Sequence, residues 1–301
     1  MSKRKTTATE RRNLRNGLLF CSPVIVGLLG LTLYPVLASL YYAFCNYPML
    51  KPPVWVGLTN FRTLFSDPVF YTALGNTAYF AFYATPIGMA VAFTLALLLN
   101  QKVKGMAVFR TMFFVPSIVP MVAGSVLWLW LLNPSYGLVN TLLSALHLPS
   151  FNGMSDPATA KQALIIMSTW GVGGWMLIYL AGLQDVPTDL YEAAEIDGAG
   201  MWARLRHITV PFMSPHLFFT LVMGFIGAAQ YFTQVFVMTN GRGGPVDSTR
   251  FLSLYLFQNA FMYWKMGYAC AMAWVLFVII LLFTLLLFKT SARYVYYGGE
   301  R

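Results

Sequence analysis

The chain has 301 residues, 58% of them hydrophobic and only 10% charged, with a formal net charge of +10. An ordinary soluble domain carries about 25% charged residues, so this composition excludes one. Three scattered cysteines, Cys21, Cys45 and Cys270, form neither a disulfide framework nor a metal-ligand pattern.

The charges are clustered and leave the windows 16–50, 68–101, 111–155, 162–184, 207–241 and 266–288 free of Asp, Glu, Lys and Arg. Each window is long enough for the roughly 20 apolar residues that cross a hydrocarbon core of about 30 Å. The sequence therefore predicts an all-α polytopic membrane protein with six transmembrane helices near 17–42, 73–99, 109–132, 163–184, 216–238 and 267–288. The corresponding organisation is a basic tail (1–16), a first helix with its external loop (17–72), a five-helix core (73–288) and a C-terminal tail (289–301). The first apolar segment is too long for a cleavable signal and lacks a small-residue cleavage site, so it is expected to remain as a helix.

Orientation follows from the positive charges. Lys3, Arg4, Lys5, Arg11, Arg12 and Arg15 precede the first span, and Lys102, Lys104 and Arg110 follow the second. Arg204 and Arg206 follow the fourth, and Lys289, Arg293 and Arg301 follow the sixth. The opposite face has Lys51, Arg62, Lys161, Arg242, Arg250 and Lys265. This bias puts both termini and the 186–215 loop in the cytoplasm. It also accounts for the net charge through membrane topology, so no nucleic-acid partner is needed.

The external connection after the first span is rich in turn formers: Pro48, Pro52, Pro53, Gly57, Asn60 and Ser66-Asp67-Pro68. Leu64, Phe65, Val69 and Phe70 within it predict short interfacial elements. The second external connection, about 133–161, spaces Leu138, Leu142, Leu143, Leu146 and Leu148 as an amphipathic helix on the bilayer surface or on a partner. A third, about 239–266, opens with Gly241-Arg242-Gly243-Gly244-Pro245 and continues into an apolar stretch, Phe251–Trp264, too short to span. Several spans carry helix breakers: Pro86, Pro116, Pro120, Gly171, Gly173 and Gly174. These serve either close helix packing or the lining of a cavity, where neighbours or water satisfy the freed backbone groups.

Apart from Arg110 at the inner edge of the third, no Asp, Glu, Lys or Arg lies inside a span, and His216 sits at the inner edge of the fifth. Ion-coupled carriers keep ionisable groups on their relay path, so a gradient-driven secondary carrier is disfavoured. No G-x-x-x-x-G-K-[ST] phosphate loop occurs, and the glycine cluster 241–244 lacks its lysine. An energy source outside the chain is expected, with an ion-coupled carrier as the alternative.

The cytoplasmic loop has the form of a docking element. Pro187 fits a helix's first turn, and Asp185 and Asp189 suit its N-terminus. Glu192 to Ile196 continue that helix, with Ala193 and Ala194 giving it a thin face. Gly198, followed by Ala199-Gly200, permits the positive dihedral of a chain reversal. A second short helix, Met201–Ile208, carries Arg204 and Arg206, and Pro211 fixes re-entry into the membrane.

Glu192-Ala193-Ala194, Gly198, Ile208 and Pro211 match the E-A-A-x3-G-x9-I-x-L-P pattern of ABC importer permeases, with Val210 in place of leucine. The segments Gly57–Phe61 through Asp67–Phe70, Tyr191–Ala199, and Gly243–Pro245 before Phe251–Gly267 agree as well. The chain thus resembles, over about 17–290, the carbohydrate-uptake permeases of the maltose and glycerol-phosphate transporter group, first-permease type. That resemblance implies a type I ABC importer transmembrane fold in the cytoplasmic membrane. The implied partners are a second permease, two ATPase copies and an extracytoplasmic solute-binding protein. ATP and magnesium would sit on the ATPases, with no cofactor or metal in this chain. It also implies ATPase coupling through Glu192, Ala193, Ala194 and Gly198, with Asp197 and Arg204 in lesser polar roles.

Sugar sites pair aromatic faces with amide and hydroxyl groups. Trp170, Trp175, Gln230, Tyr231, Thr233 and Gln234, with Asn76 as an outlier, are the residues of that chemistry at mid-membrane depth. For the tryptophans packing or anchoring is the alternative; for Gln230 and Gln234 it is an interhelical hydrogen bond. With no charge among them, an uncharged sugar is favoured over glycerol phosphate or a polyamine.

Overall fold

The computed structural model describes residues 8–101, 103–291 and 295–296. Lys3, Arg4, Lys5, Lys102, Arg293 and Arg301 of the charge argument lie outside the described residues. Two compact units are present: residues 1–66 with 259–274, and 67–258 with 275–301.

In the first unit, α1 (Thr9–Ala43) is a continuous apolar helix whose most hydrophobic stretch is fully unburied within the chain. Helix begins at Ala8, inside the segment that the sequence reads as a tail. A π-helical stretch, Leu28–Leu33, lies immediately before Pro35. Such a widened turn relieves the clash between a proline ring and the carbonyl one turn back. After α1 comes a two-residue antiparallel ladder, β1 (Cys45–Asn46) with β2 (Val54–Trp55), then α2 (Thr59–Phe65). The Asn60 amide donates to the carbonyls of Ala43 and Cys45, both at 2.9 Å, and the Phe44 ring lies between Trp55 and Phe61. Gly267 comes against the Cys45 carbonyl so closely that no side chain fits there.

In the second unit, α3 (Pro68–Leu99) is the central helix. Asp67 caps it by accepting from Val69 N at 2.9 Å, and Pro68 occupies the first turn, where a missing N–H costs nothing. Ala73, Ala81, Ala84, Gly88, Ala92 and Ala96 form its buried stripe. These small residues let neighbouring helices approach closely, the membrane substitute for a hydrophobic driving force.

The third predicted span is not one straight helix. It is α4 (Met106–Ile118) and α5 (Met121–Leu131), bent by 99°. Pro120 lacks the N–H that would carry the ladder on, and it pushes Val119 into extended backbone (φ −67°, ψ 129°). The amphipathic α6 (Leu138–Ala145) follows, with Leu138, Leu142 and Leu146 exposed. The fourth span is α7 (Pro157–Trp170) and α8 (Gly173–Gln184), bent by 48° at Gly171 and Val172. Among the described residues four helices are thus long and apolar enough to cross a membrane, or up to six when each bent pair counts as one span.

Next come α9 (Thr188–Ile196) and α10 (Met201–Met238). The second loop helix, expected as a separate Met201–Ile208, is in fact the first turns of the fifth span. A π-helical segment, Leu205–Thr209, precedes Pro211 and carries the helix through it. The short α11 (Leu252–Phe257) precedes α12 (Met266–Ser291). Beyond α12, Tyr296 N donates to Ser214 Oγ at 2.8 Å, which brings residue 296 against α10.

Candidate functional site

The 186–204 segment folds as a hairpin. Helix α9 closes with the N–H of Gly198 donating to Glu195 O at 3.0 Å and that of Ala199 to Ala194 O at 2.8 Å. This crossed pair is a Schellman cap, which requires a left-handed residue between the two donors' partners and the departing chain. Gly198 supplies it, with φ +76°. A Cβ there would meet nothing within 4 Å, so the glycine is required by its dihedral and not by space.

Glu192, Ala193, Asp197 and Gly198 are exposed, while Ala194 and Arg204 are partly covered. Arg204 Nη1 bonds Glu195 Oε2 at 3.0 Å, and the Tyr191 hydroxyl bonds Thr209 Oγ1 at 2.9 Å. Both contacts tie α9 to the first turns of α10. The sequence reading assigned Glu195 no partner; its nine-residue separation from Arg204 meets only because Gly198 reverses the chain.

The hairpin also presents apolar groups. Ile196 is 88% exposed, Trp202 75% and Met201 69%. Three large apolar side chains are thus open to solvent on a charged hairpin. Sequence reasoning missed them because in an apolar chain no single isoleucine or tryptophan stands out.

The second feature is a cavity of about 340 Å³ in the second unit. Its lining includes Phe80, Thr85, Ser117, Ser168, Trp170, Trp175, Tyr231 and Gln234. Three interruptions of helical structure surround it. Pro116 and Val119 come from the α4–α5 bend, Gly171 and Val172 from the α7–α8 bend, and Tyr231 from the loosened turn at 230–232 of α10. Irregular backbone at membrane depth is tolerated where it lines a cavity. Of the two roles open to the breakers, Pro116 and Gly171 thus take the cavity. Gly173 takes packing, since a Cβ there would lie 2.8 Å from Phe113 O.

Trp170, Trp175, Tyr231 and Gln234 therefore meet at one cavity. Gln230 is exposed, and neither it nor Thr233 is among the lining residues. Asn76 lies away from it: its amide nitrogen donates to the carbonyls of Asp247 (2.8 Å) and Arg250 (3.2 Å), and its oxygen accepts from Lys161 Nζ at 3.0 Å. The cavity's lining carries no charged side chain. The Tyr231 ring is fixed on Phe80, centroids 4.4 Å apart, and that of Trp170 stands edge-on to Trp128 at 6.2 Å. Thr85 Oγ1 and the Tyr231 hydroxyl are buried and have no hydrogen-bond partner among the described residues. Thr85, Ser117 and Ser168 escaped sequence reasoning, since hydroxyl residues are common in membrane helices and nothing marks those that face a cavity.

Broken apolar helices surround an uncharged cavity, with a charged hairpin at one end of the fifth span. Residues 84–295 match the family described as binding-protein-dependent transport system inner membrane component. Among curated relatives, the probable ABC transporter permease protein YesP of Bacillus subtilis is 40% identical, over 99% of this chain and 96% of its own. The lactose transport system permease protein LacF of Rhizobium radiobacter is 36% identical, over 94% and 98%. The trehalose/maltose transport system permease protein MalF of Thermococcus litoralis is 32% identical, over 97% and 98%. A chain of a bacterial ABC transporter involved in the import of the acidic polysaccharide alginate shares the fold, with a TM-score of 0.80 at 24% identity over 95% of this chain and 99% of that one. The chain belongs to the binding-protein-dependent ABC transporter permeases of the inner membrane, in their carbohydrate-uptake group.

Proposed function

We propose that this permease forms, with a second permease, the path of a neutral sugar or short oligosaccharide, and that hairpin 186–204 couples the path to an ATPase. The observation that carries the sugar reading is the cavity lining: aromatic faces of Trp170 and Tyr231 beside the hydroxyls of Thr85, Ser117 and Ser168, with no charge. A pyranose presents C–H faces to aromatic rings and hydroxyls to polar groups, whereas a phosphate ester or a polyamine needs an opposite charge. The lactose and trehalose/maltose named for two relatives support the same class.

The coupling reading is supported by the exposed Ile196, Met201 and Trp202 on a hairpin whose Glu192, Ala193, Ala194, Asp197 and Gly198 remain free to meet a partner. ATP binding and hydrolysis on that partner would move α9 and, through its ties at Glu195–Arg204 and Tyr191–Thr209, the first turns of α10. Because α10 runs unbroken from the hairpin to residue 229, the motion reaches the cavity wall at Gly224 and Ala228. The cytoplasm is the side of the hairpin and of both termini, as the positive charges require.

The test is uptake by the complete complex in vesicles supplied with its binding protein. ATP-dependent accumulation of an uncharged saccharide, insensitive to ion gradients, is the expected result. Uptake by this chain alone along an ion gradient, or uptake restricted to charged solutes, would contradict it.

A further inference from the structure

Two glycines on different helices face one indole. A Cβ at Gly88, on α3, would stand 3.1 Å from Trp175 Cζ3, and one at Gly224, on α10, 2.8 Å from Trp175 Cη2 and 2.7 Å from Thr85 Cγ2. Carbon atoms pack best at about 3.5–4.0 Å, so alanine at Gly224 forces a neighbour to shift and alanine at Gly88 needs the indole to give by a few tenths of an ångström. What a Cβ would meet at both glycines is side chain, that of Trp175 first at Gly88 and those of Thr85 and Trp175 together at Gly224, and not the backbone of a crossing helix. Gly173 differs: its nearest atoms are Phe113 O and Phe114 Cα, the mark of close helix approach. Trp175 thus stands against both glycines, sharing the contact with Thr85 at Gly224.

Trp175, Gly88, Gly224 and Thr85 all line the cavity. On the helix turn that follows Trp175 the packing is complete: Met176 and Tyr179 are fully buried, and the Tyr179 hydroxyl bonds Thr220 Oγ1. An indole pushed by a new methyl group finds free volume on the cavity side and none toward that packed layer.

We propose that Gly88 and Gly224 set the width of the cavity by fixing how far Trp175 stands into it, and so set the bulk of the solute the permease admits. Trp175 is on this account a size gauge and a positioning residue, with selectivity residing in two residues that need touch no solute. The consequence for solute size rests on the cavity being the solute path.

The test is thiol labelling of Ser168→Cys, a cavity residue, in the complete complex. Methanethiosulfonates graded from methyl to benzyl are used, with labelling of the parent complex subtracted. Gly224→Ala should slow labelling by the benzyl reagent about tenfold, with little change for the methyl reagent. Trp175→Phe should speed the benzyl reagent, and the double variant Gly224→Ala/Trp175→Phe, built on Thr85→Ser so that no Cγ2 opposes the new methyl group, should restore the parent rate. Restoration is the decisive readout, because a merely structural defect at residue 224 would not be repaired by a smaller ring. Where Gly224→Ala prevents assembly, Gly88→Ala, with its milder 3.1 Å approach, replaces it. An assembled complex whose size dependence is unchanged by Gly224→Ala or Gly88→Ala, or a double variant that stays slow, overturns the proposal. The labelling needs no solute, so it is independent of the path reading, which stands or falls on the uptake assay.

Discussion

Arg204 reaches across the reversal at Gly198 to bond Glu195, Nη1 to Oε2 at 3.0 Å, and in doing so ties α9 to the first turn of the fifth spanning helix. Glu195's side chain is 73% exposed, so the bridge contributes at most about 1 kcal/mol and is screened by salt. Arg204→Ala should leave assembly of the complex intact and change uptake by no more than about twofold at physiological ionic strength. Uptake assayed at low and high salt checks this; a large loss independent of salt would mean that Arg204 meets the ATPase directly.

Gly198 is a different case. Its φ of +76° costs a β-branched residue about 1–3 kcal/mol, while asparagine adopts that region more readily. Because open space surrounds its position, the chain can insert and assemble with either side chain. Gly198→Val should therefore uncouple ATP hydrolysis from uptake, with Gly198→Asn between it and the native residue. Parallel ATPase and uptake measurements on one preparation check the order; unimpaired coupling in Gly198→Val would remove the hairpin from the mechanism.

Tyr231→Phe removes a buried hydroxyl that pairs with no protein group among the described residues. A side chain that is not holding the fold together can be cut back without penalty, so thermal stability should not fall. If that hydroxyl serves a saccharide, the half-saturation concentration for uptake rises about three- to tenfold. A lower melting temperature with unchanged half-saturation would instead make the hydroxyl structural.

For Asn76 the opposite split is expected. Asn76→Ala leaves Lys161 Nζ and the carbonyls of Asp247 and Arg250 without their shared partner, at a cost of about 1–3 kcal/mol. The complex should melt lower while its solute preference and half-saturation stay as they were. Melting followed by tryptophan fluorescence, beside a competition uptake assay, separates the two effects.

The hairpin and the cavity differ in how far sequence reveals them. Gly198 is legible because a glycine after an acidic-alanine helix has a local reason, the left-handed cap, that needs no tertiary partner. Asp67-Pro68 and Asp156-Pro157 carry an equally local signal, a cap and a first-turn proline, but hydropathy set the expected spans at 73 and 163 and so missed the starts of α3 and α7 at 68 and 157. The bend at Val119–Pro120 was visible as proline content, but its 99° is not, since the angle depends on what packs in the gap. Thr85 and Ser168 were not legible at all. Each sits in an apolar helix where hydroxyls commonly bond their own backbone, as Ser168 does to Ile165 O at 2.7 Å, and only the assembled helices show which of them borders a cavity. Asn76 misled through its chemistry, because an amide at membrane depth fits a solute contact and a loop clamp equally well until Asp247 and Arg250 are placed.

The central claim is that hairpin 186–204 is the handle of an external motor, and the structure of the intact complex purified from its membrane tests it most directly. A nucleotide-hydrolysing subunit seated on α9, with Ile196, Met201 and Trp202 buried in its cleft, is the predicted result. An intact, transport-competent complex in which those three side chains stay open to solvent would contradict the account.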